Sequence, residues 1–502
     1  MVKLSTDCPQ FDNDIAEVVR LFLDAEKLEA PREPMLDGDV FVSARLFKEN
    51  HTWAAEAVCA CAEAGERRGF SYRYESPLRG ESALEQKRYQ KRCVKIAVFR
   101  AMRLAFPEAF LPWGSLTGIR PTRLLHELKE SLGAEEARRM MLESFDVSGE
   151  KLALAAEILS VQNEMPRLSS EKETGVYIGI PYCKTRCLYC SFPSEVRHAK
   201  TDMAAYLAAL KRDIAFGARL LRETGRKVRS MYMGGGTPTV LTADELDGLL
   251  SFTLSAYGGY GLEFTVEAGR PDTIDREKLS VLKRSGVTRI SINPQSMNDA
   301  TLALIGRSHS AHEVERAFYE AREAGFSAIN MDVIAGLPGE SLGDFQNTLD
   351  AVERLNPENL TVHTLAIKRS SLLKDRLSLY PLASAEEADH MVDAGRALAR
   401  RLSMRPYYMY RQKYMRGNLE NVGYAKPLTE CVYNVDMMEE TASILSHGAN
   451  AMTKRVFQGE SRVERIPAPK DIKTYLDKLD ALCEAKERLF FEERWPRLTS
   501  RP

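Results

Sequence analysis

The 502-residue sequence has no apolar run near the roughly 18 residues that a membrane-spanning helix requires. It also lacks a charge excess, since 70 basic and 71 acidic residues leave a formal net charge of −1. Because nucleic-acid binding depends on a basic surface, this balance argues against a general nucleic-acid partner. The first 20 residues carry four acidic side chains and no apolar core, so neither a secretory signal nor a transit peptide is indicated. We therefore expect a cytoplasmic protein.

Tandem repeats and low-complexity segments are also missing, and cysteines are few. The nine cysteines are an odd number in a long chain, which argues against a disulfide framework. Three of them, Cys183, Cys187 and Cys190, fall within eight residues and require an explanation of their own. The others are scattered, and a small buried apolar side chain is the simplest interpretation of each: Cys8, Cys59, Cys61, Cys93, Cys431 and Cys483.

The length suggests about three domains, at roughly 150 residues per domain. Residues 1–172 are interpreted as a mainly helical N-terminal domain, with amphipathic helices predicted over 18–28, 84–104, 134–145 and 151–165. From residue 175 the pattern changes, and short apolar strands alternate with amphipathic helices. The predicted strands cover 176–181, 230–236, 262–269, 288–296, 329–338 and 360–367.

This alternation implies an α/β fold with a parallel sheet and crossover helices. Six units are too few to close an eight-stranded barrel, so we expect an open or partial (β/α)6 barrel over residues 173–372. Residues 373–502 are interpreted as a small α+β C-terminal domain that covers the substrate. In parallel sheets ligands bind at the carboxyl ends of the strands, and the unusual residues of this sequence lie at those ends.

The three clustered cysteines form C-x3-C-x2-C directly after the first predicted strand, in YIGIPYCKTRCLYCSF. Zinc sites usually take four ligands from paired Cys spacings, and no second pair lies nearby in sequence. Three thiolates instead fit a [4Fe–4S] cluster with one iron open to a ligand other than Cys. A zinc site with a distant fourth ligand, or three reduced bystander thiols, is the alternative.

Further polar or glycine-rich features follow on the next strands. The second strand ends in GGGTP, where bare backbone lets a ligand approach closely. One acidic, basic or amide side chain then lies on or after each of the following strands. Any one of these alone is more simply a satisfied core residue. Together, beside a cysteine motif, they favour a shared ligand at one mouth of the barrel: Glu267, Gln295, Arg307 and Asp332.

These segments, with VEAGRPD, INPQSM, LIGRSH, NMDVIAGLPGE and VHTLAIKRSS, resemble the radical S-adenosylmethionine (SAM) superfamily. More narrowly they resemble the oxygen-independent coproporphyrinogen III oxidases, also called dehydrogenases, in their longer bacterial form. The resemblance implies that Cys183, Cys187 and Cys190 ligate the cluster. It also implies a set of SAM contacts, of which Gly235, Gly236 and Thr237 would hold the methionine amino group. The full set is Tyr177, Tyr189, Gly235, Gly236, Thr237, Glu267, Gln295, Arg307, Asp332 and Ala366.

The activity implied by the resemblance is oxidative decarboxylation of two propionates of coproporphyrinogen III to vinyl groups, giving protoporphyrinogen IX in haem biosynthesis. A 5′-deoxyadenosyl radical would take a hydrogen from the propionate β-carbon. Carbon dioxide would leave and one electron would pass on, so an electron donor and an electron acceptor are implied partners. Some family members carry a fourth Cys as C-x-C, where this chain has Cys190, Ser191 and Phe192. Any role of that fourth Cys, such as ordering a second cofactor molecule, is therefore left open.

A substrate with four propionates calls for cations and aromatic rings. The predicted contacts are Lys368, Arg369, Arg411 and Lys413, with Tyr407, Tyr408 and Tyr410 stacking on pyrroles and His309 as a further polar contact. A solvated charged face with core tyrosines explains the same residues equally well.

Three other functions compete with the decarboxylase. The main one is a haem-binding chaperone of the same superfamily that lacks decarboxylase activity. A radical enzyme acting on tRNA is disfavoured by the balanced charge. A structural zinc protein would contain zinc and no iron.

Overall fold

The computed structural model describes residues 2–23, 38–49, 52–63, 66–76, 82–117, 120–166, 170–412, 415–458 and 462–491. The chain divides into two compact units, one of residues 1–156 with 417–419 and one of residues 157–416 with 420–502. Within the described ranges, no helix combines the length and the apolar character needed to cross a bilayer.

The N-terminal unit contains a four-stranded sheet. Its strands follow chain order, with the first two parallel and the others antiparallel: β1 (Val2–Thr6), β2 (Val40–Glu49), β3 (Thr52–Glu63) and β4 (Glu66–Glu75). The helices that start in this unit are α1 (Asp12–Phe22), α2 (Ala83–Ala105), α3 (Pro121–Leu132), α4 (Ala134–Arg139) and α5 (Gly149–Glu164).

Helix α2 begins at a capping box formed by Ser82 and Glu85, and it packs its apolar face on the sheet. The predicted helix over 84–104 is therefore confirmed, while part of the predicted helix 18–28 lies outside the described residues. The sheet itself was not predicted. Strand β3 (TWAAEAVCACAE) is rich in Ala and Glu, which favour helices when tertiary pairing does not decide otherwise.

The second unit is built on an eleven-stranded sheet. Six parallel strands stand in chain order at its centre, and β6 and β7 pair separately with each other. The strands between residues 173 and 364 are β5 (Glu173–Ile180), β6 (Tyr182–Cys183), β7 (Glu195–Val196), β8 (Lys227–Gly235), β9 (Phe264–Glu267), β10 (Arg289–Ser291), β11 (Ile329–Ala335) and β12 (Asn359–Thr364). All six predicted strands are thus confirmed.

Helices cover this sheet and cap their N-termini with Ser, Thr, Asp or Asn side chains in most cases. They are α6 (Met203–Glu223), α7 (Ala243–Tyr257), α8 (Arg276–Arg284), α9 (Asp299–Leu304), α10 (Ala311–Glu323), α11 (Leu342–Leu355), α12 (Leu372–Asp375), α13 (Ala385–Arg401), α14 (Val432–Glu439), α15 (Ile472–Asp477) and α16 (Leu479–Phe490).

Residues after 372 extend both edges of the same sheet. The added strands are β13 (Arg405–Tyr410), β14 (Asn421–Ala425), β15 (Ser443–His447), β16 (Met452–Phe457) and β17 (Arg462–Pro467). Strand β14 pairs antiparallel with β12, whereas β15 pairs parallel with β5 at the opposite edge. The C-terminal α+β segment is therefore part of the same sheet as the parallel strands and adds strands at both of its edges.

Candidate active site

The inner face of the parallel strands is polar. Register places Glu267 of β9 opposite Ser291 of β10, Ser291 opposite Asn330 of β11, and Asn330 opposite Asn359 of β12. The intervening residues, such as Ile290 and Met331, are fully buried on the other face. Parallel strands are usually apolar on both faces, so a row of polar side chains across this sheet marks the wall of a ligand cavity.

A cavity of about 370 Å³ opens at the carboxyl ends of these strands. Twelve of the thirteen residues predicted as cluster or SAM contacts line it: Cys183, Cys187, Cys190, Tyr189, Gly235, Gly236, Thr237, Glu267, Gln295, Arg307, Asp332 and Ala366. Tyr177 is the exception. It lies behind the glycine turn at the end of β8, residues 234–237, where its ring stacks on Tyr232 with centroids 6.2 Å apart.

The cysteine loop, residues 183–190, is held against two other segments of the barrel. The Leu188 N–H donates to the Ile305 carbonyl at 2.9 Å, and the Thr185 hydroxyl donates to the Gly306 carbonyl at 2.8 Å. Arg270 donates to the Thr185 hydroxyl at 2.6 Å. Because these bonds come from segments distant in sequence, the loop conformation is fixed by the fold.

The three thiols of this loop lie close enough to influence one another. Burial raises the pKa of Cys190 to about 11, and the neighbouring Cys187 and Cys183 add to the rise. The Thr237 hydroxyl donates to Cys183 Sγ at 3.5 Å. All three are free cysteines, and a metal would have to displace their protons on binding.

The cysteine loop supplies three thiols, one fewer than the four ligands usual for a structural zinc ion. Within the described residues, no three or more His, Cys, Asp or Glu side chains converge as they would on one metal ion. Three free thiols on one loop beside an open polar cavity instead fit a [4Fe–4S] cluster that leaves one iron to a further ligand.

The glycine turn after β8 lines the cavity, and its N–H groups are hydrogen-bonded within the protein. The Gly235 N–H donates to Glu267 at 3.2 Å, the Gly236 N–H to the Ile180 carbonyl at 2.8 Å, and the Thr237 N–H to the Tyr182 carbonyl at 2.7 Å. Since these three N–H groups are engaged within the protein, a ligand would have to meet the carbonyl oxygens of the turn, of which that of Thr237 also accepts from the Val240 N–H at 2.8 Å. Carbonyls suit an ammonium group, which can only donate.

Glu267 is a largely buried acid that forms no ion pair with any residue that the structure describes. Its carboxylate accepts from the Tyr232 hydroxyl at 2.7 Å and from the Gly235 N–H at 3.2 Å. Burial raises the pKa of Glu267 to about 7, and nearby Asp332 contributes to the rise. A carbon at the Cβ position of Gly234 would lie 2.7 Å from the Glu267 carboxyl carbon, so only glycine leaves room for this acid.

Asp332 forms the other acidic group of the wall. It lies 3.5 Å from His363 Nε2 and accepts from the Asn330 amide at 2.7 Å. Burial alone would raise the pKa of Asp332, but these two neighbours lower it below its ordinary value. The Tyr410 hydroxyl lies 3.3 Å from His363 Nδ1, which completes a chain of polar groups along β11, β12 and β13.

Gln295 and Arg307 carry buried polar atoms that have no hydrogen-bond partner in the part of the chain that the structure describes. Gln295 Oε1 and Arg307 Nε make no hydrogen bond, although both residues are at least nine-tenths buried. Gln295 also holds a left-handed φ of 66°, which is uncommon for a residue with a side chain. Unpaired buried atoms are costly, so both observations fit a polar ligand in the cavity.

Some of the predicted substrate contacts line the cavity, and others do not. Tyr407, Tyr408, Tyr410 and Lys368 line the same cavity. Three other predicted contacts are not among its lining residues, since Arg369 is exposed and Arg411 and His309 are buried elsewhere. Lys413 lies outside the described residues.

Sequence reasoning missed several lining residues on the same strands. They are Tyr232, Thr265, Arg289, Ser291, Asn293, Asn330, Asn359, Thr361 and His363. The sequence indicates these residues by alternating polar and apolar side chains: RISIN, INMDV and NLTVHT each have a polar residue at every second position. Such a period of two inside a parallel sheet predicts a polar interior face.

Comparison with known proteins gives consistent relatives. Residues 177–352 match the radical SAM superfamily. The chain is 40% identical over 380 residues to the oxygen-independent coproporphyrinogen-III oxidase-like protein HemZ of Bacillus subtilis, covering 74% of this chain and 76% of HemZ. It is 32% identical over 225 residues to the heme chaperone HemW of the same bacterium, covering 43% of this chain and 58% of HemW.

Among solved structures, one has a similar fold over 62% of this chain. Coproporphyrinogen III oxidase HemN of Escherichia coli, a radical SAM enzyme, superposes with a TM-score of 0.51 at 22% identity. The match covers 62% of this chain and 71% of HemN, and it shows a shared fold.

Proposed function

The chain belongs to the family of oxygen-independent coproporphyrinogen-III oxidase-like proteins in the radical SAM superfamily, and from this we propose that it decarboxylates coproporphyrinogen III. Proteins of this superfamily use a [4Fe–4S] cluster and SAM, which are the cofactors of this chain. When bound, they supply the radical chemistry that removes a hydrogen from a substrate carbon.

The observation that carries the proposal is the single cavity. The cysteine loop, the residues with unpaired polar atoms and the tyrosines of β13 all face it. A radical reaction needs its source and its substrate side by side in a space closed to water. Because one cavity contains all three groups, it would place the radical source and the substrate side by side.

The chain's own residues would position and tune the bound groups. Cys183, Cys187 and Cys190 would hold the cluster, with the Thr237 hydroxyl donating to one of the thiolates and stabilising its negative charge. The carbonyls of the glycine turn would accept from the amino group of SAM. Glu267, Gln295, Arg307 and Asp332 would bind its remaining polar atoms.

The substrate would lie on the side of the cavity lined by tyrosines. Tyr407 and Tyr408 meet edge to face with centroids 4.8 Å apart, and Tyr408 stacks on Tyr410 at 6.4 Å. Such surfaces bind the flat faces of pyrroles. Two rounds of the reaction would convert two propionates to vinyl groups, and the proposal requires an electron donor and an electron acceptor.

The test is anaerobic turnover. The cluster is reconstituted, SAM, a strong reductant and coproporphyrinogen III are added, and products are followed by mass spectrometry. We expect two successive losses of the mass of formic acid, together with 5′-deoxyadenosine. No change of substrate mass under these conditions would reject the proposal.

A haem-binding chaperone is the second candidate, because the chain is also similar to HemW. The sequence Cys190–Ser191–Phe192, in place of C-x-C, leaves this candidate open. Stoichiometric, tight binding of haem in a protein that leaves coproporphyrinogen III unchanged would favour it over the decarboxylase.

A further inference from the structure

Two segments form the rim of the cavity and hydrogen-bond to each other. Arg186 donates to the Ser370 carbonyl at 2.9 Å, and the Ser370 hydroxyl donates to the Ser191 carbonyl at 3.3 Å. The Leu373 N–H also donates to the Leu188 carbonyl at 2.9 Å. The turn after β12 is thereby fixed beside the cysteine loop, and both contribute side chains to one rim.

The cavity has five Arg or Lys residues in its lining, and the four arginines are engaged by protein groups. Arg186 donates to the Ser370 carbonyl, Arg270 to Asp272, Arg289 to Asn359 and Arg307 to the Asn293 carbonyl. Arg270 and Arg289 also form ion pairs, with Asp272 and Glu263, whereas Arg186 and Arg307 are held in place by neutral carbonyl oxygens.

Lys368 is different. Its ammonium makes no hydrogen bond or ion pair with any residue that the structure describes, although the side chain lines the cavity and is partly buried. The backbone at this position is fixed, because the Ser371 N–H and hydroxyl both donate to the Lys368 carbonyl, at 3.0 and 2.7 Å. Burial lowers the pKa of Lys368, and a bound anion would offset that effect.

Phe192 provides an apolar surface at the same rim. Its ring lines the cavity and is nevertheless 64% exposed. An aromatic ring exposed at the mouth of a polar cavity is typical of a binding surface. In this chain the ring stands where some family members have a Cys.

We propose that Phe192 and Lys368 form a subsite for a pyrrole ring and its carboxylate arm. The phenyl ring contacts the face of the pyrrole, and the ammonium binds one propionate carboxylate. This inference rests on the proposed function, because it takes a tetrapyrrole carboxylic acid as the substrate. It selects Lys368 from the four cations predicted by sequence, two of which, Arg369 and Arg411, are outside the lining of the cavity.

The experiment uses the full chain with reconstituted cluster under anaerobic conditions. Binding of coproporphyrin III and of its tetramethyl ester is titrated by fluorescence, and the KM for coproporphyrinogen III is measured in parallel. The variants are Lys368→Met, Lys368→Arg and Phe192→Ala. Matched controls are Lys473→Met and Leu379→Ala, at exposed positions that do not line the cavity.

We expect Lys368→Met to weaken binding of the free acid about 10-fold to 100-fold, since a charge-assisted hydrogen bond is lost. Binding of the ester should not change in this variant, and Lys368→Arg should retain most of the affinity for the acid. Phe192→Ala should weaken binding of acid and ester alike by about 10-fold, as expected for lost aromatic contact. The control variants should bind as the wild type does.

The outcomes separate this subsite from the proposed function. If the wild type binds coproporphyrin III in a Lys368-dependent way but decarboxylates nothing, the proposed function is wrong and the subsite stands. If the wild type is an active decarboxylase and Lys368→Met leaves Kd and KM unchanged, the subsite is wrong. If the wild type binds neither probe and shows no turnover, both are wrong.

Discussion

Two buried acids of the second unit differ in what surrounds them. Asp213 on α6 accepts from Lys486 Nζ at 2.6 Å and from the Tyr475 hydroxyl at 3.1 Å, and His447 Nδ1 lies 3.0 Å away. Although burial alone would raise its pKa, Lys486 and His447 lower the pKa of Asp213. Glu267, in contrast, has no ion-pair partner within the described residues, and its pKa rises to about 7.

This difference distinguishes a charged group that stabilises the fold from one that is available to a ligand. Asp213 and Lys486 join α6 to α16, and the Gly448 N–H donates to the same carboxylate at 3.2 Å, so this group ties helices to the end of β15. Glu267 lines the same cavity as Gln295 and Arg307, and within the described residues Gln295 Oε1 and Arg307 Nε have no hydrogen-bond partner. Matched charge holds the fold together, whereas unmatched polarity in a cavity indicates where a cofactor binds.

The largest expected effect comes from removing Lys486, the cationic partner of Asp213. Lys486→Met leaves Asp213 buried without its cation, and we expect the free energy of unfolding to fall by about 3–5 kcal/mol. Thermal and denaturant unfolding measure the loss, with exposed Lys473→Met as the control. A double variant that also carries Asp213→Asn should recover part of it, because no unpaired charge is left. Unchanged stability in Lys486→Met would contradict a structural role.

A smaller effect, with a distinct pH dependence, is expected at the unmatched acid. The pKa of Glu267 is about 7 in the folded protein and 4.5 is its ordinary value, so the folded state holds the proton more tightly. Wild-type stability should therefore decrease, relative to Glu267→Gln, as pH rises from about 4.5 to 7. The expected difference is on the order of 1–3 kcal/mol.

Unfolding curves of both proteins without cofactors, recorded across that range, measure this difference. Parallel pH profiles would show that Glu267 has no raised pKa. Asp213 should contribute in the opposite sense, because its stabilising charge is lost as pH falls through its lowered pKa.

The smallest expected effect comes from crowding Glu267 without changing its charge. In Gly234→Ala the new methyl group would lie 2.7 Å from the Glu267 carboxyl carbon and must displace it. We expect the affinity for SAM to fall about tenfold, a change of roughly 1.4 kcal/mol. Equilibrium dialysis measures it, with Gly69→Ala as a control, because that strand glycine has open space around it. Equal affinities would show that SAM does not depend on the position of Glu267.

Much of the second unit could be predicted from sequence. Six strands, most helices and the gathering of cysteines with Glu267, Gln295, Arg307 and Asp332 follow from periodicity and from the meeting of parallel strand ends. These signals are local, and chain order equals sheet order in the core. The predicted roles of the individual contacts are still predictions.

The features that sequence missed depend on distant pairing. Strand β15 pairs with β5 across more than half of the chain, and no local pattern indicates that neighbour. The pattern of residues 472–486 in sequence indicates one final helix, whereas the chain forms two helices, α15 and α16, that meet at Lys478. No local pattern distinguishes Lys486 from a surface lysine, and only the fold places it against Asp213.

The most direct test of the proposed cofactor site is to measure whether the protein binds an iron–sulfur cluster and whether the spectrum of that cluster responds to SAM. Anaerobically reconstituted wild type and Cys187→Ser are compared by iron and sulfide analysis and by electron paramagnetic resonance, with and without SAM. We expect one [4Fe–4S] cluster per wild-type chain, a spectrum that changes when SAM is added, and neither in Cys187→Ser. Zinc in place of iron, or a cluster whose spectrum ignores SAM, would contradict the account.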